Sequence, residues 1–473
     1  MQFEREINRL LLFGLLTFAL VALVAAYWAV RGAGTILQRD DNPRLFEQQA
    51  RVVRGDIIDR QGRVIVTTEQ NGRQRPQRLY PHEAAHSAMG YYSLRYGTGG
   101  VEAIYDDWLS GVTLETSAQD ELVRSLLHRP QQGADVRLTF DLDVQQRLHE
   151  LLEDHTGAAV VLSVPDGGVL GMISQPTFDP ATLDANWPQL VEDPGEPFFN
   201  RAVQGGYQPG SMIYTLLATT ALINGVPLYS EFEDAGEAIY VADLLLECTI
   251  EPPADTLTLA EAYIYSCPAP FARLVNQIGL PVLSQTLDLF RPYDQLVPEN
   301  FAGFLGDDPP AAPVRRQATI EDAFGQGQIT FTPLEMASIV AAIINGGNAP
   351  QPYMLMATRE PGSETWTSAN GVRQTHPITT PQTARQMQTI MRGAVENGVA
   401  WAAIRGGPNI GGYTSLAYSG DSTHVWFIGF AYIGAREGAV IALVIEDSDD
   451  LDLAASIGGE ALRVAALALA PQQ

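Results

Sequence analysis

Lysine is absent from this chain of 473 residues, and all 29 basic residues are arginine. A Schiff-base lysine, a phosphate-loop lysine and a lysine general base are therefore excluded within the chain. Cysteine is nearly absent as well: Cys248 and Cys267 are too few for a four-thiolate zinc site or a disulfide-rich scaffold. The pair could form one disulfide or stay as two buried thiols, because the sequence does not give the distance between them.

Positive charge is scarce, since 55 acidic residues leave a formal net charge of −26. Such a chain repels a phosphate backbone and has none of the basic clusters that nucleic-acid binding needs, so we expect no nucleic-acid partner. Charged residues make up only 18% of the chain and hydrophobic residues 46%. The chain can therefore bury a large core, and its length predicts two or three structural units.

An uncharged apolar run extends from Leu10 to Val30. At about 1.5 Å rise per residue, its length matches a hydrocarbon core of roughly 30 Å, and Tyr27 and Trp28 are typical of the membrane interface. A cleaved signal peptide is the alternative, but the run exceeds the usual ~7–15 apolar residues of such peptides. The arginines on the two sides do not decide the orientation. We expect a cytoplasmic tail over residues 1–9, one transmembrane helix over 10–30, and a large extracytoplasmic part at the cell membrane.

The remaining chain predicts an α+β fold. Two segments, Gly157–Ser174 and His424–Asp447, each consist of two apolar runs joined by a glycine-containing turn, which is typical of β-hairpins. Helical patterns lie between them, such as Thr332–Gly346, with Pro333 suited to the first turn. Strands at both ends with helices between them favour an antiparallel sheet in which the early and late strands pair, covered by helices.

Two further patterns have simple structural interpretations. The glycines of Gly90–Gly111 lack the spacing of a dinucleotide-binding loop, so turns are the better explanation. The aspartates of Asp447–Asp452 lack the spacing and the glycine of an EF-hand, and they predict a solvated turn. We therefore expect no cofactor and no metal.

The landmarks resemble the class B penicillin-binding proteins, membrane-anchored D,D-transpeptidases of peptidoglycan synthesis. The resemblance rests on the order of several segments: RVVRGDIIDRQGRVI (51–65), RLYPHEAAHSAMGYYSLRYGTGGVE (78–102), GAAVVLSVPDGGVLGMISQPTFDP (157–180), FFNRAVQGGYQPGS (198–211), FGQGQITFTPLEMA (324–337) and HVWFIGFA (424–431). It implies a partly β pedestal over residues 31–133 and a transpeptidase-like domain over 134–473, with a five-stranded antiparallel sheet between helical layers. It also implies a polytopic glycosyltransferase as partner, and a peptidoglycan stem peptide or a β-lactam as ligand.

Catalysis in that family uses three motifs, S-x-x-K, S-x-N and K-T-G. The serine of the first attacks a D-Ala–D-Ala carbonyl while its lysine takes the proton, and the other two motifs complete the proton network and bind the substrate carboxylate. In the first motif of this chain, Ser211 stands at the nucleophile position but Tyr214 replaces the lysine.

The other two motifs are altered as well. In the second motif Ser266 is retained, whereas Pro268 replaces the asparagine. In the third, Tyr413 replaces the lysine, Thr414 is retained and Ser415 replaces the glycine. Compositional drift would exchange lysine for arginine and keep the charge, but both motif lysines are tyrosine. This pattern indicates lost catalytic constraint.

The chemistry leads to the same interpretation. A tyrosine with a pKa of about 10 is only about 0.1% ionised at pH 7, so its use as a base costs about 4 kcal/mol. Without a positioned base, roughly 10²–10⁴ in rate is lost. We therefore predict a catalytically impaired family member that acts as scaffold or regulator in cell-wall synthesis, in cell shape or cell division. Two alternatives stay open: a serine acyltransferase using Ser211 with an acidified Tyr214, and a module that binds stem peptides without cleaving them.

Overall fold

The structure is a computed structural model that describes residues 2–28, 49–70, 75–114, 127, 129–290, 298–305, 317–369, 374–407, 409–420, 422–434 and 437–470. The chain divides into two compact units. The first consists of Met1–Val53, Glu69–Gln77 and Ser117–Gln131, and the second of Arg54–Thr68, Arg78–Thr116 and Gln132–Gln473.

The N-terminal helix α1 spans Gln2–Tyr27. Its segment Ile7–Tyr27 has a mean hydropathy of 2.5, contains no buried residue, and is long and apolar enough to cross a membrane. The helix therefore begins earlier than the predicted span Leu10–Val30. The last two residues of that predicted span lie outside the described residues.

The other helices of the described residues belong to the second unit. In chain order they are α2 (His86–Met89), α3 (Val101–Ile104), α4 (Asp106–Ser110), α5 (Leu142–Leu152), α6 (Leu183–Glu192), α7 (Ile213–Ile223), α8 (Leu259–Ile264), α9 (Pro268–Ile278), α10 (Leu280–Phe290), α11 (Pro298–Leu305), α12 (Ile320–Ala323), α13 (Pro333–Ile344), α14 (Pro381–Asn397) and α15 (Leu451–Leu469). Short 3₁₀ turns occupy Glu83–Ala85, Pro180–Thr182, Gly210–Met212 and Trp401–Gly406.

The strands, in chain order, are β1 (Ile57–Ile58), β2 (Val64–Glu69), β3 (Gln77–Leu79), β4 (Tyr91–Ser93), β5 (Gly97–Gly99), β6 (Asp135–Leu138), β7 (Gly157–Val164), β8 (Val169–Gln175), β9 (Glu231–Phe232), β10 (Ile239–Val241), β11 (Leu244–Leu246), β12 (Leu257–Thr258), β13 (Asn348–Pro350), β14 (Leu355–Arg359), β15 (Thr367–Ser368), β16 (Thr375–Pro377), β17 (Ile410–Ser419), β18 (Ser422–Tyr432) and β19 (Gly438–Glu446). Both predicted hairpins are confirmed, as β7–β8 and β18–β19.

A five-stranded antiparallel sheet forms the centre of the second unit, in the order β17-β18-β19-β7-β8. The early strand β7 pairs with the late strand β19, with Gly157 opposite Ile445 and Val164 opposite Gly438. The predicted pairing of the two ends of this region is therefore confirmed. Strand β17 is at the edge of the sheet.

Alternation along the strands divides the core into two apolar layers. Val160, Trp426 and Tyr413 are buried in one layer, which also contains α7 and α13. The neighbouring residues Val161 and Phe427 are buried in the other layer, which contains α15. The sheet thus lies between helical layers, as the family resemblance implies.

A second sheet of six strands has the order β15-β14-β6-β1-β2-β3. It combines strands from both sides of the predicted boundary at residues 133 and 134, because β1 pairs with β6 in parallel and β6 pairs with β14. The domain boundary itself stays a prediction.

A buried ion-pair cluster stabilises the region around β1 and α3. The carboxylate of Glu102 accepts hydrogen bonds from Arg54 Nη2 (2.7 Å) and Arg78 Nε (2.6 Å), and the three side chains are at most 5% exposed. Burial acts to raise the pKa of Glu102, but the charges of Arg78 and Arg54 lower it on balance. The carboxylate therefore stays ionised, as a buried charge does only when it is paired.

The glycine-rich segment Gly90–Gly111 contains more regular structure than the predicted turns. It forms the β4–β5 hairpin and the short helices α3 and α4. Gly97 and Gly100 adopt positive φ angles of 79° and 66°, which glycine tolerates better than other residues.

Candidate functional site

Ser211 lies in the 3₁₀ turn Gly210–Met212, which leads directly into α7. Gly210 has a φ of 55°, and a Cβ there would lie 2.2 Å from the carbonyl oxygen of Leu416 on β17. Only glycine therefore lets the turn contact the edge strand so closely. The amide of Gly210 donates to the carbonyl of Gly325 (3.0 Å).

The loop before Ser211 is fixed to the next strand of the sheet. The carbonyl oxygen of Gln208 accepts hydrogen bonds from His424 Nε2 (2.8 Å) and Trp426 Nε1 (2.9 Å) on β18. Burial lowers the pKa of His424, so its ring is neutral near pH 7. The position of Ser211 is thus set by β17 and β18 together.

Ser415 connects the edge strand to the turn that carries Ser211. Its Oγ donates a hydrogen bond to the carbonyl of Pro209 (2.8 Å) and accepts one from the amide of Met212 (3.0 Å). It also accepts one from Ser211 Oγ, at 3.3 Å. Because Ser415 has one hydroxyl proton, which goes to Pro209, its oxygen serves Ser211 only as a neutral acceptor.

Tyr214, at the position predicted for the first motif lysine, is a core residue. It is 2% exposed, and its ring stacks on Phe271 of α9 at 4.1 Å and meets Phe324 edge-on at 6.2 Å. Burial, and to a smaller extent Tyr413, raise the pKa of Tyr214 well above its usual value. At neutral pH the phenol is therefore even less ionised than a tyrosine in water, so the basic form that could take the serine proton is scarcer.

Tyr413, at the position predicted for the third motif lysine, is completely buried beside Tyr263, with the ring centroids 4.4 Å apart. Burial raises the pKa of Tyr413, and the nearby hydroxyls of Ser266 and Ser211 lower it to a smaller extent. Neither of these contacts has ordinary hydrogen-bond geometry, because Tyr413 Oη and Ser266 Oγ both lack a partner among the described residues. The hydroxyls of Ser211 and Ser266 thus both lie near that of Tyr413, and among the described residues neither Ser266 nor Tyr413 is hydrogen-bonded to an ionised group.

The second motif marks the start of a helix. Ser266 is buried and has a positive φ of 53°, Cys267 is the N-cap residue of α9, and Pro268 occupies its first turn. Proline suits that position because it has no N–H to leave unpaired. Cys267 also forms a disulfide with Cys248, which decides the alternative that the sequence left open.

Thr414, the other retained hydroxyl, is not part of this group. Its Oγ1 donates to the carbonyl of Val399 at 2.6 Å, and the residue is 1% exposed. The structure therefore brings Ser211, Ser415, Ser266 and Tyr413 together but commits Thr414 to a structural hydrogen bond. Among the residues that the structure describes, no group of three or more His, Cys, Asp or Glu side chains could hold a metal ion.

Comparison with known proteins decides the family. The model of the penicillin binding protein transpeptidase domain matches residues 157–463, and that of the penicillin binding protein A dimerisation domain matches residues 54–136. The chain belongs to the penicillin-binding protein transpeptidase family. The class B resemblance is thereby confirmed, and the dimerisation-domain match covers most of the predicted pedestal.

Several members of the family are similar over most of this chain. The peptidoglycan D,D-transpeptidase PbpA of Mycobacterium tuberculosis is 27% identical over 469 residues, which cover 90% of this chain and 91% of that protein. Escherichia coli MrdA, a peptidoglycan D,D-transpeptidase, is 28% identical over 306 residues, 57% of this chain and 46% of that protein. The imipenem acyl-enzyme of M. tuberculosis penicillin-binding protein A superposes with a TM-score of 0.74 at 26% identity, covering 89% of this chain and 100% of that chain.

Proposed function

We propose that this chain is a catalytically impaired penicillin-binding protein that acts as a scaffold or regulator in peptidoglycan synthesis. The observation that carries the proposal is the hydrogen bond from Ser211 to Ser415, a neutral hydroxyl whose own proton is donated to Pro209. Acyl transfer by serine requires a base that removes the hydroxyl proton. Ser415 does not supply one.

The two tyrosines at the lysine positions do not replace the missing base. Burial raises the pKa of both Tyr214 and Tyr413, so each phenol is protonated at neutral pH. Even an unperturbed tyrosine would cost about 4 kcal/mol as a base at pH 7. Each buried phenol costs more than that, because its ionised form would lose its hydration.

A relative that is acylated by β-lactams shows what this chain is expected to lack. Penicillin-binding protein A of M. tuberculosis forms acyl-enzymes with imipenem and with penicillin G. We expect the present chain to form no such adduct at a useful rate, because the same step needs an activated serine. Binding of a stem peptide or a β-lactam without acylation is compatible with the proposal.

A turnover assay tests the proposal. The full-length chain in detergent is incubated with a peptide ending in D-Ala–D-Ala, and D-alanine release is measured beside M. tuberculosis PbpA as positive control. We expect release no faster than that of the Ser211→Ala variant. Release that exceeds the variant's would support the alternative of a working acyltransferase and overturn the proposal.

We further propose that α1 anchors the chain in the cell membrane by a single span, with the large C-terminal part outside, and that a polytopic glycosyltransferase is its partner. The length and hydropathy of Ile7–Tyr27 support the anchor. Affinity purification from native membranes, followed by mass spectrometry, should recover that glycosyltransferase. A variant with an unrelated transmembrane helix in place of α1 should recover less. Recovery of no wall-synthesis protein with the natural chain would contradict the partner.

A further inference from the structure

A small cavity distinct from the Ser211 site lies between the β4–β5 hairpin and the loop that follows α6. We call it the aromatic cavity. Its volume is about 190 Å³, below the roughly 300–1,000 Å³ of pockets for drug-sized ligands. Rings form much of its wall, from Tyr91, Phe178, Phe198, Phe199 and Phe304. It therefore suits one compact unit with an apolar face.

The rings that line the cavity hold one another in place. Phe178 packs against Phe198 at 4.8 Å and 58°, and Tyr91 meets Phe178 edge-on at 5.9 Å. Behind them, Trp187 packs on Phe198 at 4.9 Å and stacks on Tyr96 at 4.1 Å. Within the cavity wall, the interplanar angles of 68° between Tyr91 and Phe178 and 58° between Phe178 and Phe198 leave no parallel faces between which a flat base would be inserted.

Two side-chain amides in the cavity wall present unused hydrogen-bond donors. Asn200 Oδ1 accepts from the amide of Ala202 (3.1 Å), and Gln204 Oε1 accepts from the amide of Asn200 (2.7 Å), so both side chains are fixed in orientation. Asn200 is 7% exposed. The nitrogens Nδ2 of Asn200 and Nε2 of Gln204 have no partner among the described residues, yet neither is sealed from solvent.

The charge of the cavity lining and of the whole chain favours a neutral ligand. Among the residues described around the cavity, no charged side chain lines it. The chain as a whole carries a formal charge of −26, which disfavours an anion. The site thus offers aromatic surface and N–H donors to a neutral group with an apolar face and acceptor oxygens.

We propose that the aromatic cavity binds one N-acetylated amino-sugar unit of a glycan. The C–H face of the sugar ring and the acetamido methyl pack on the aromatic wall, and the acetamido carbonyl and a hydroxyl accept hydrogen bonds from Asn200 and Gln204. This binding goes beyond the function proposed for Ser211. It does not depend on whether that serine is acylated.

The binding is tested on the full-length chain in detergent with N,N′-diacetylchitobiose as the probe. Trp187 contacts Phe198 of the wall, so its fluorescence should change on titration, and the Trp187→Phe variant identifies the signal among the 6 tryptophans. We expect saturable binding. Cellobiose, in which hydroxyls replace the acetamido groups, should bind about tenfold more weakly. Absence of saturable binding, or equal affinity for cellobiose, would overturn the proposal.

A matched pair of variants locates the site. Gln204→Glu keeps the oxygen that accepts from Asn200 but removes the Nε2 donor, and we expect about tenfold weaker binding. Gln189→Glu, an identical change at an exposed position of α6, should bind like the natural chain. Unchanged affinity in Gln204→Glu, or an equal loss in Gln189→Glu, would place the probe elsewhere and overturn the proposal. The cellobiose comparison uses the natural chain and so holds even if Gln204→Glu does not fold.

Discussion

The hydroxyl of Ser415 lies 3.3 Å from that of Ser211 and links the edge strand β17 to the turn that begins α7. Ser415, at the position predicted for the glycine of the third motif, thus accepts a hydrogen bond from Ser211 of the predicted first motif. The same oxygen bonds both Pro209 and Met212. A residue that departs from the family pattern has become part of the connection between strand and helix.

Ser415→Ala should destabilise the fold, because it removes three hydrogen bonds between β17 and the turn. At about 0.5–1.5 kcal/mol each, we expect a loss of about 1.5–4.5 kcal/mol in the free energy of unfolding. Urea denaturation followed by circular dichroism measures it. Ser419→Ala, on the exposed end of the same strand, is the control and should change little. Equal effects of the two substitutions would show that Ser415 does not link the two elements.

Tyr214→Lys restores the family residue but should not restore the chemistry. The lysine ammonium would be buried without a charged partner at the place where the Tyr214 ring now stacks on Phe271. We therefore expect the free energy of unfolding to fall by about 3–5 kcal/mol, and we expect no acylation of Ser211. Tyr214→Phe keeps the stacked ring and should cost less than about 1 kcal/mol. Urea denaturation of both variants distinguishes the cost of burying a charge from the cost of losing the phenol hydroxyl. A stable Tyr214→Lys variant that reacts with penicillin would show that the Ser211 site is intact and lacks only its base.

Alkaline pH should destabilise the chain through its buried tyrosines. Burial raises the pKa of Tyr214 above about 10, the value in the unfolded chain, so its contribution to stability is complete below pH 10 and is lost as the pH rises further. Each such group contributes up to about 1.4 kcal/mol per pH unit. Since the chain has no lysine, no lysine titration overlaps this range.

The measurement compares the free energy of unfolding at pH 9 and pH 11. The natural chain should lose more stability over this interval than Tyr214→Phe. Tyr240→Phe, at a tyrosine that is 76% exposed, should behave like the natural chain. An identical loss in the natural chain and in Tyr214→Phe would contradict the burial of this phenol.

The bridge between Cys248 and Cys267 predicts that no thiol reacts with iodoacetamide in denaturant without reductant. After reduction, both cysteines should be alkylated, as intact-mass spectrometry would show. The bridge closes a loop with a sequence separation of 19, so its removal should cost about 3 kcal/mol by the chain-entropy estimate. Two free thiols before reduction would contradict the bridge.

The fold could largely be predicted because its elements depend on local patterns. The hairpins β7–β8 and β18–β19 follow from apolar runs around glycine turns, and α13 follows from its proline start. The β4–β5 hairpin was not predicted, since its strands are only three residues long and contain glycines.

The site was predicted only in part, because it depends on distances between residues far apart in the chain. The motif positions Ser211, Ser266 and Tyr413 do converge, but nothing local indicates that Ser415 bonds Met212 or that Tyr214 stacks on Phe271. The bond from Thr414 to Val399 was likewise not foreseen. The large aromatic side chains at Tyr214 and Tyr413 were the signal in the sequence that buried rings occupy these two positions.

Covalent labelling tests the central claim most directly. The full-length chain is incubated with penicillin G at neutral pH, and intact-mass spectrometry records the acylated fraction over time, with M. tuberculosis PbpA as positive control. The lack of a base at Ser211 predicts no adduct beyond that of Ser211→Ala. An adduct that forms within minutes and disappears in Ser211→Ala would contradict the account.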